Sequence, residues 1–362
     1  MPSADSTRPS DAPIRAALVG VGGISPLHAE GYRRAGAEIV ALADVDEATL
    51  ARRAEAWSVP ATYRDAARMF AEVRPDVVTI ATPVSTHHEV VMAAAKAGVH
   101  VLCEKPISLD LRRADEMIIA CRDAGVVLQI GHQLRSDGAV AQAGRMIDEG
   151  TLGDIAFVRL RQAHDWGGAH EVRASFATRA SGGGGTLLDN GCHMMDLARF
   201  FAGNVEEVYT RMATRKWGVE LEDTSLVSLR FASGALGSIE NGWTATGWEE
   251  GFWIYGSEGS LEYTNRHQAP VLRHAFRDSP GTTWAGTDVS ETRFAGDRAH
   301  HRQVRAFLQA VRGERDVVCR GEDGREAVRL VLAAYDSADA NRPLPVDRAS
   351  TSLDSAGVAP GD

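Results

Sequence analysis

Short, nearly continuous apolar runs alternate with helical stretches through the first third of the chain. Residues 14–19 (IRAALV) form one run, and Gly-Val-Gly-Gly-Ile-Ser follows at once. A helical stretch from about Pro26 to Ala35 comes next. Proline near its start and Gly36 after its end are the asymmetry expected of helix boundaries. Further runs lie at 38–43, ending in Asp44, and at 76–81, 99–103 and 126–130. Each is short, β-branched and flanked by helical patterns. Strands of this kind are buried on both faces, so the pattern predicts a parallel sheet covered by helices.

The turn Gly20-Val21-Gly22-Gly23-Ile24-Ser25 sits between the first run and the first helix. Gly20 permits a tight turn, and Gly22 lets backbone approach a pyrophosphate whose charge rests on the helix N-terminus. Ser25 replaces the usual third glycine and is small enough for close packing. Asp44, at the end of the second run, has the spacing of a carboxylate that accepts from adenosine ribose hydroxyls and repels a 2′-phosphate. No basic residue follows it until Arg52, so NAD is favoured over NADP. The alternative is that Asp44 only caps the next helix. Thr82-Pro83 follows the 76–81 run, where a ligand crosses the sheet edge. Thr86 and Glu89 have the spacing of a capping box. His87, between them, lies near the nicotinamide end or faces solvent.

Composition narrows the classes. The chain has 362 residues, 44% hydrophobic, a length that favours two domains. A net charge of −10 argues against a nucleic-acid partner. No apolar run is long enough to cross a membrane. Residues 1–13 read as a polar disordered leader and 346–362 as a disordered tail. Four scattered cysteines, Cys103, Cys121, Cys192 and Cys319, read as reduced thiols of a cytoplasmic protein. Of 39 basic residues only Lys96, Lys105 and Lys216 are lysines. Lys96 suits the end of a helix. Lys105 has no such explanation.

Residues 99–106, Val-His-Val-Leu-Cys-Glu-Lys-Pro, end a strand in Glu104-Lys105-Pro106. This resembles the hallmark of the Gfo/Idh/MocA oxidoreductases. The resemblance continues in the glycine turn ending at His28, in Thr82-Pro83 with His87, and in the stretch holding Asp189, His193 and Asp196. It covers roughly residues 14–345, including the Gly-Glu-Asp-Gly-Arg-Glu-Ala pattern at 321–327. It implies an N-terminal Rossmann domain, here 14–135, and a C-terminal α/β domain, 136–345, on a large open, mostly antiparallel sheet. Runs at about 154–164, 205–214, 224–232, 235–243 and 251–256 agree, with Ser233-Gly234 and Ser257-Glu258-Gly259 as hairpin turns. By the same resemblance the open sheet face forms a homodimer or homotetramer.

Oxidising a secondary alcohol needs a hydride acceptor and a base for the hydroxyl proton. Asp189 and His193 share a face if their segment is helical, so His193 is assigned as general acid/base and Asp189 as its orienter, with Asp196 a competing partner. Lys105 is assigned to stabilise the alkoxide, and Glu104 to position the strand end or cofactor. An ordinary surface or core Asp–His pair is the alternative. The expected cofactor contacts are Gly20, Gly22, Gly23, Ile24, Asp44, Thr82, Pro83, His87, Glu104 and Lys105. His164, Trp166 and Arg135 are candidates for the substrate, with Asp165, His170, Arg173 and Gln133 nearby. No spacing supports a metal site. The reading is therefore an NAD-dependent oxidoreductase acting on a sugar, polyol or inositol. Its rivals are an NAD-retaining, redox-assisted glycosidase or lyase and a non-catalytic NAD-binding regulator.

Overall fold

The computed structural model describes residues 12–165, 183–215, 220–265, 270–277, 287–294 and 296–353. In chain order its helices are α1 (Ser25–Arg34), α2 (Glu47–Trp57), α3 (Ala66–Val73), α4 (His87–Lys96), α5 (Leu111–Asp123), α6 (Gly138–Asp148), α7 (Thr186–Ala202), α8 (Ala299–Val311) and α9 (Gly321–Ala340). The chain divides into two compact units. One holds the described parts of Met1–Glu104, with Glu116–Gly131 and His300–Arg320. The other holds Lys105–Asp115, with the described parts of His132–Ala299 and Gly321–Asp362.

The first unit is built on parallel strands β1 (Arg15–Val19), β2 (Glu38–Ala43), β3 (Thr62–Tyr63), β4 (Val77–Ile80), β5 (His100–Cys103) and β6 (Leu128–Ile130), in the order β3-β2-β1-β4-β5-β6. The five apolar runs are β1, β2, β4, β5 and β6. β3 spans only two residues, too few to show a pattern. β4 is buried along its whole length, as a strand covered on both faces must be. Leu18, Ala29, Tyr32, Leu42 and Leu102 share one core with Val304, Phe307 and Leu308 of α8. Gly31 of α1 lets α8 approach, since a Cβ there would lie 3.0 Å from Val304. A late helix thus returns to the first unit, while residues 105–115 go to the second. A single cut after residue 135 does not describe this division.

The second unit carries β7 (Ile155–His164), β8 (Val205–Ala213), β9 (Thr224–Phe231), β10 (Leu236–Gly242), β11 (Trp248–Gly256), β12 (Gly259–Thr264), β13 (Val271–Arg277), β14 (Thr287–Arg293) and β15 (Leu344–Pro345). The sheet order is β14-β13-β12-β11-β7-β10-β9-β8-β15. Among its described strands, only β7 and β10 pair in parallel. β9 alternates buried and exposed residues cleanly, the signature of a sheet with one face covered. Val158, Leu160, Val227, Ile239, Phe252 and Ile254 form the covered face. α7 lies against it and is buried nearly all round, which explains its continuous apolar sequence. The expected hairpins at 233–234 and 257–259 join β9 to β10 and β11 to β12. Residues 346–353 pack rather than trail. Val346 and Leu353 are buried, and Leu353 N–H donates to the Leu109 carbonyl. Among the described residues no helix is long and apolar enough to cross a membrane.

The cofactor turn makes a tight local requirement at Gly20, which has φ +81° and whose added Cβ would lie 2.5 Å from the Ala81 carbonyl oxygen. Gly20→Ala is expected to cost about 2–4 kcal/mol in urea unfolding. A loss below about 0.5 kcal/mol would show that the turn opens without strain.

Candidate active site

The first unit reverses its strand order between β1 and β4, and the glycine turn leaves β1 at that point. The Gly20 N–H donates to Ala43 O at 2.8 Å, holding the turn on β2. Apart from its own chain neighbours, no described heavy atom lies within 4 Å of a Cβ built on Gly22 or on Gly23. That open cradle leads into α1, whose N-cap, Ile24, supplies no side-chain acceptor. Ser25 takes the third small position, buried, donating through Oγ to Gly22 O at 2.8 Å. Backbone donors at a helix start beside empty space suit a pyrophosphate.

Asp44 is not the cap of α2; Asp46 is, accepting from Thr49 N–H at 2.7 Å. Asp44 accepts from Val21 N–H (2.8 Å) and Asp46 N–H (2.9 Å), one through each oxygen. A carboxylate has about four acceptor positions, so capacity remains for ribose hydroxyls. Arg53, which the sequence reading passed over, donates to the carbonyls of Val21 and Gly22 at 3.2 and 3.3 Å.

The capping box does not form. Val84–Thr86 make a 3-10 turn ahead of α4, so the Thr86 backbone is already helical and its hydroxyl turns back to Thr82 Oγ1 (2.8 Å) and Pro83 O (2.9 Å). His87 is buried rather than solvent-facing and donates through Nε2 to Thr82 O at 3.0 Å. Glu104 directly follows β5, with its Oε1 2.8 Å from Nε2 of buried His28 in α1. It packs on Gly131, where a Cβ would lie 2.9 Å from it. That anchoring fits a positioning role.

In the second unit, Lys105 precedes Pro106 through a cis peptide bond. Its Nζ lies 2.8 Å from Asp189 Oδ1 and 3.1 Å from the Asp189 carbonyl. Both side chains are mostly buried, 16% and 15% exposed, so the pair is little screened by water. Asp189 stands in the first turn of α7, where the helix dipole favours a carboxylate. His193 stands one turn further on, buried, with its ring edge-on to His132 at 5.4 Å. The Asp189 carboxylate, expected to orient His193, accepts from Lys105.

Arg135 is committed elsewhere than substrate. It grips Asp196 with Nε (2.8 Å) and Nη2 (2.7 Å), and Asp323 with Nη1 (3.1 Å). A guanidinium forked onto a buried carboxylate has little left to offer a sugar. The same contact occupies Asp196 and places it 4.0 Å from His132. His132 had no local sequence signal, being brought beside His193 by the turn after β6.

His164 donates through Nε2 to Asn190 Oδ1 at 2.9 Å and stacks on Trp248 at 4.5 Å. Burial holds its pKa down, which favours the neutral ring. Trp166, His170 and Arg173 lie outside the described residues. Burial pushes the Cys192 thiol up to about 12, so it is no thiolate nucleophile. Among the described residues no three His, Cys, Asp or Glu side chains are grouped to hold a metal ion.

The start of α7 depends on a residue that sequence reasoning missed. Gly185, the N-cap, has no side chain to cap with. Glu222 takes over: its carbonyl accepts from Thr186 N–H at 2.9 Å, and its Oε1 accepts from Leu187 N–H at 3.0 Å and Tyr335 Oη at 2.8 Å. Only the fold brings Glu222 to this place.

An oxidoreductase family with an NAD-binding Rossmann fold matches residues 14–132, and the GFO/IDH/MocA C-terminal domain matches residues 140–262. The chain is 29% identical to myo-inositol 2-dehydrogenase of Thermotoga maritima, over 92% of this chain and 99% of that one. It is 30% identical to 1,5-anhydro-D-fructose reductase of Ensifer adhaerens, over 75% of this chain and 80% of that one. Its fold matches levoglucosan dehydrogenase in complex with NADH and levoglucosan, with TM-score 0.85 and 23% identity, over 93% of this chain and 100% of that one.

Burial raises the Glu222 pKa above its ordinary value, against the hydrogen bonds from Tyr335 and Leu187. A raised carboxyl pKa favours folding most below about 4.5, its unfolded value, and that contribution is lost as pH rises through the folded value. The stability of the wild type relative to Glu222→Gln should therefore fall between pH 4 and pH 8. A pH-independent difference, read from urea midpoints, would contradict the assignment.

Proposed function

The chain belongs to the Gfo/Idh/MocA family of NAD-binding oxidoreductases, and on that premise we propose that it oxidises a secondary alcohol of a sugar, polyol or inositol, or reduces the matching ketone. The observation that carries the proposal is the buried Lys105–Asp189 ion pair with His193 one helical turn away. Asp189 holds the Lys105 ammonium in place. Lys105 donates to the hydroxyl oxygen and stabilises the negative charge that grows there. His193 takes the hydroxyl proton, or returns it in the reverse direction. Bound NAD supplies the hydride acceptor. The cradle at Gly20, Gly22, Gly23 and Ile24 would hold its pyrophosphate, and Asp44 its ribose. Thr82, Pro83 and His87 line the β4 edge, with Glu104 at the end of β5.

The two carboxylate oxygens of Asp44 favour NAD over NADP, because a 2′-phosphate would meet a negative charge. His164 and Trp248 are the substrate-facing pair in this reading, a neutral ring stacked on a flat apolar one. Four unbridged, buried cysteines suit a reducing compartment, and we place the protein in the cytoplasm. Sheet chemistry supports a homo-oligomer. On the uncovered face Leu236, Phe157 and Tyr255 form one row across β10, β7 and β11, with Leu236 51% and Tyr255 47% exposed. A second copy covering that row would remove its apolar area from water.

The test is NAD reduction across a panel of neutral sugars and polyols, with chromatography for glycoside cleavage. Lys105→Met should keep NAD binding and lose turnover by about a hundredfold or more. Wild-type turnover in that variant would remove Lys105 from the chemistry. His193→Ala should lower kcat; a rise in KM alone would make His193 a binding residue. On the open sheet face, Leu236→Arg with Tyr255→Arg should shift light-scattering mass to the monomer. An unchanged mass would place the interface elsewhere.

A further inference from the structure

The covered face of the second sheet changes character along its strands. Leu160 of β7 faces Phe252 of β11 and Ile239 of β10, an apolar row. One step further toward the β7 C-terminus, the corresponding row is polar across four strands: Glu250 on β11, Gln162 on β7, Asn241 on β10 and Ser225 on β9. The next β7–β11 pair on this face is His164 with Trp248. Apolar side chains at these places would be the ordinary choice under a helix. A polar row costs free energy unless each group finds a partner.

Part of the row is satisfied internally. Gln162 Nε2 donates to Glu250 Oε2 at 2.7 Å, and Asn241 Nδ2 donates to Ser225 Oγ at 3.1 Å. The amide oxygens of Gln162 and Asn241 are left over, both buried without a hydrogen-bond partner; Gln162, the one bonded to Glu250, is 2% exposed. Its neighbours are the groups already drawn into the site. Asn190, next to Asp189, donates to the Gln162 backbone carbonyl at 3.5 Å and accepts from His164 at 2.9 Å. A buried acceptor beside this cluster calls for a donor that the protein does not provide.

The charges around it select that donor. Burial lifts the Glu250 carboxyl to about 7, the Asp137 carboxylate adding to the rise while Gln162 and Trp248 oppose it. Asp137 brings the nearby negative charge. Lys105 is paired to Asp189, and Arg135 to Asp196 and Asp323. Resting on the alcohol-oxidation reading above, we propose that Gln162 and Glu250 form a hydroxyl-binding subsite that selects neutral polyols over sugar acids. A hydroxyl both donates and accepts, so it suits the Gln162 oxygen and either state of Glu250. A substrate carboxylate would meet an acceptor and like charge.

The test is calorimetric titration of protein saturated with NADH, using myo-inositol, methyl glucoside and its acid counterpart, methyl glucuronide. The wild type binds a neutral ligand and discriminates against the acid. Gln162→Leu, of similar volume, should weaken neutral binding by about tenfold, the order of one hydrogen bond, and raise KM far more than it lowers kcat. Glu250→Gln, which keeps the shape, should narrow the discrimination against the acid by about tenfold. Both variants should bind NADH as the wild type does. Unchanged neutral affinity in Gln162→Leu, or unchanged discrimination in Glu250→Gln, overturns the subsite while leaving the oxidoreductase reading intact. A wild type that binds methyl glucuronide as tightly as methyl glucoside also overturns it. A wild type that binds NADH but no polyol fails both readings together.

Discussion

The second unit is arranged around one costly interaction, the mostly buried ion pair of Lys105 and Asp189. Taking two charges out of water costs several kcal/mol per ion, and attraction repays it only when geometry is held firmly. Here the geometry is held from several sides. The ammonium meets both the carboxylate and the carbonyl of Asp189. Asp189 sits in the first helical turn, where the dipole favours its charge. That turn is itself fixed by Glu222 and Tyr335, which arrive from distant parts of the chain. Gly185 is part of the same arrangement, because a Cβ there would run into Glu222. A hydrophobic pair would have been the easier way to fill this volume. Retaining a charged one makes sense when the charge has work to do on a substrate.

The first unit meets its ligand differently. Its cradle is mostly backbone: glycines that keep space open, a helix start without a side-chain cap, and one carboxylate tied at both oxygens. Backbone donors are set by the fold and do not depend on side-chain choice, so such a site tolerates wide sequence change around it. In the reading proposed above, the substrate side draws on side chains from strand ends and one helix. This division gives the cofactor and the substrate separate determinants. Change on one side need not disturb the other.

How legible this was in sequence follows from the same division. The glycine turn, Asp44 and the strand ending in Glu104-Lys105 are local patterns, and the alternation of apolar runs and helices was enough to place them. Asp189 and His193 were visible as a helical pair, but the partner of Asp189 was not, because Lys105 is 84 residues away. Glu222, Tyr335 and His132 left no local trace, since only tertiary packing gives them their roles. The capping box at Thr86 failed because a 3-10 turn started the helix early, a choice of backbone path that the spacing alone does not encode. Arg135 was misread for a related reason: its partners Asp196 and Asp323 are remote, and an arginine after a strand looks available until they are seen.

One further signal was present in the β7 sequence. Along Val158, Leu160, Gln162 and His164 the covered positions turn from apolar to polar, and that break marks where the core ends and the site begins. The same switch recurs on β11, from Ile254 and Phe252 to Glu250 and Trp248, in register with β7. Two strands far apart in sequence share a break at matching register positions, which chance exposure at a sheet edge does not explain, because Gln162 and His164 are buried. A protein that buries polar groups together, in a row, and leaves an acceptor among them without an internal donor has shaped that floor for something it does not itself contain.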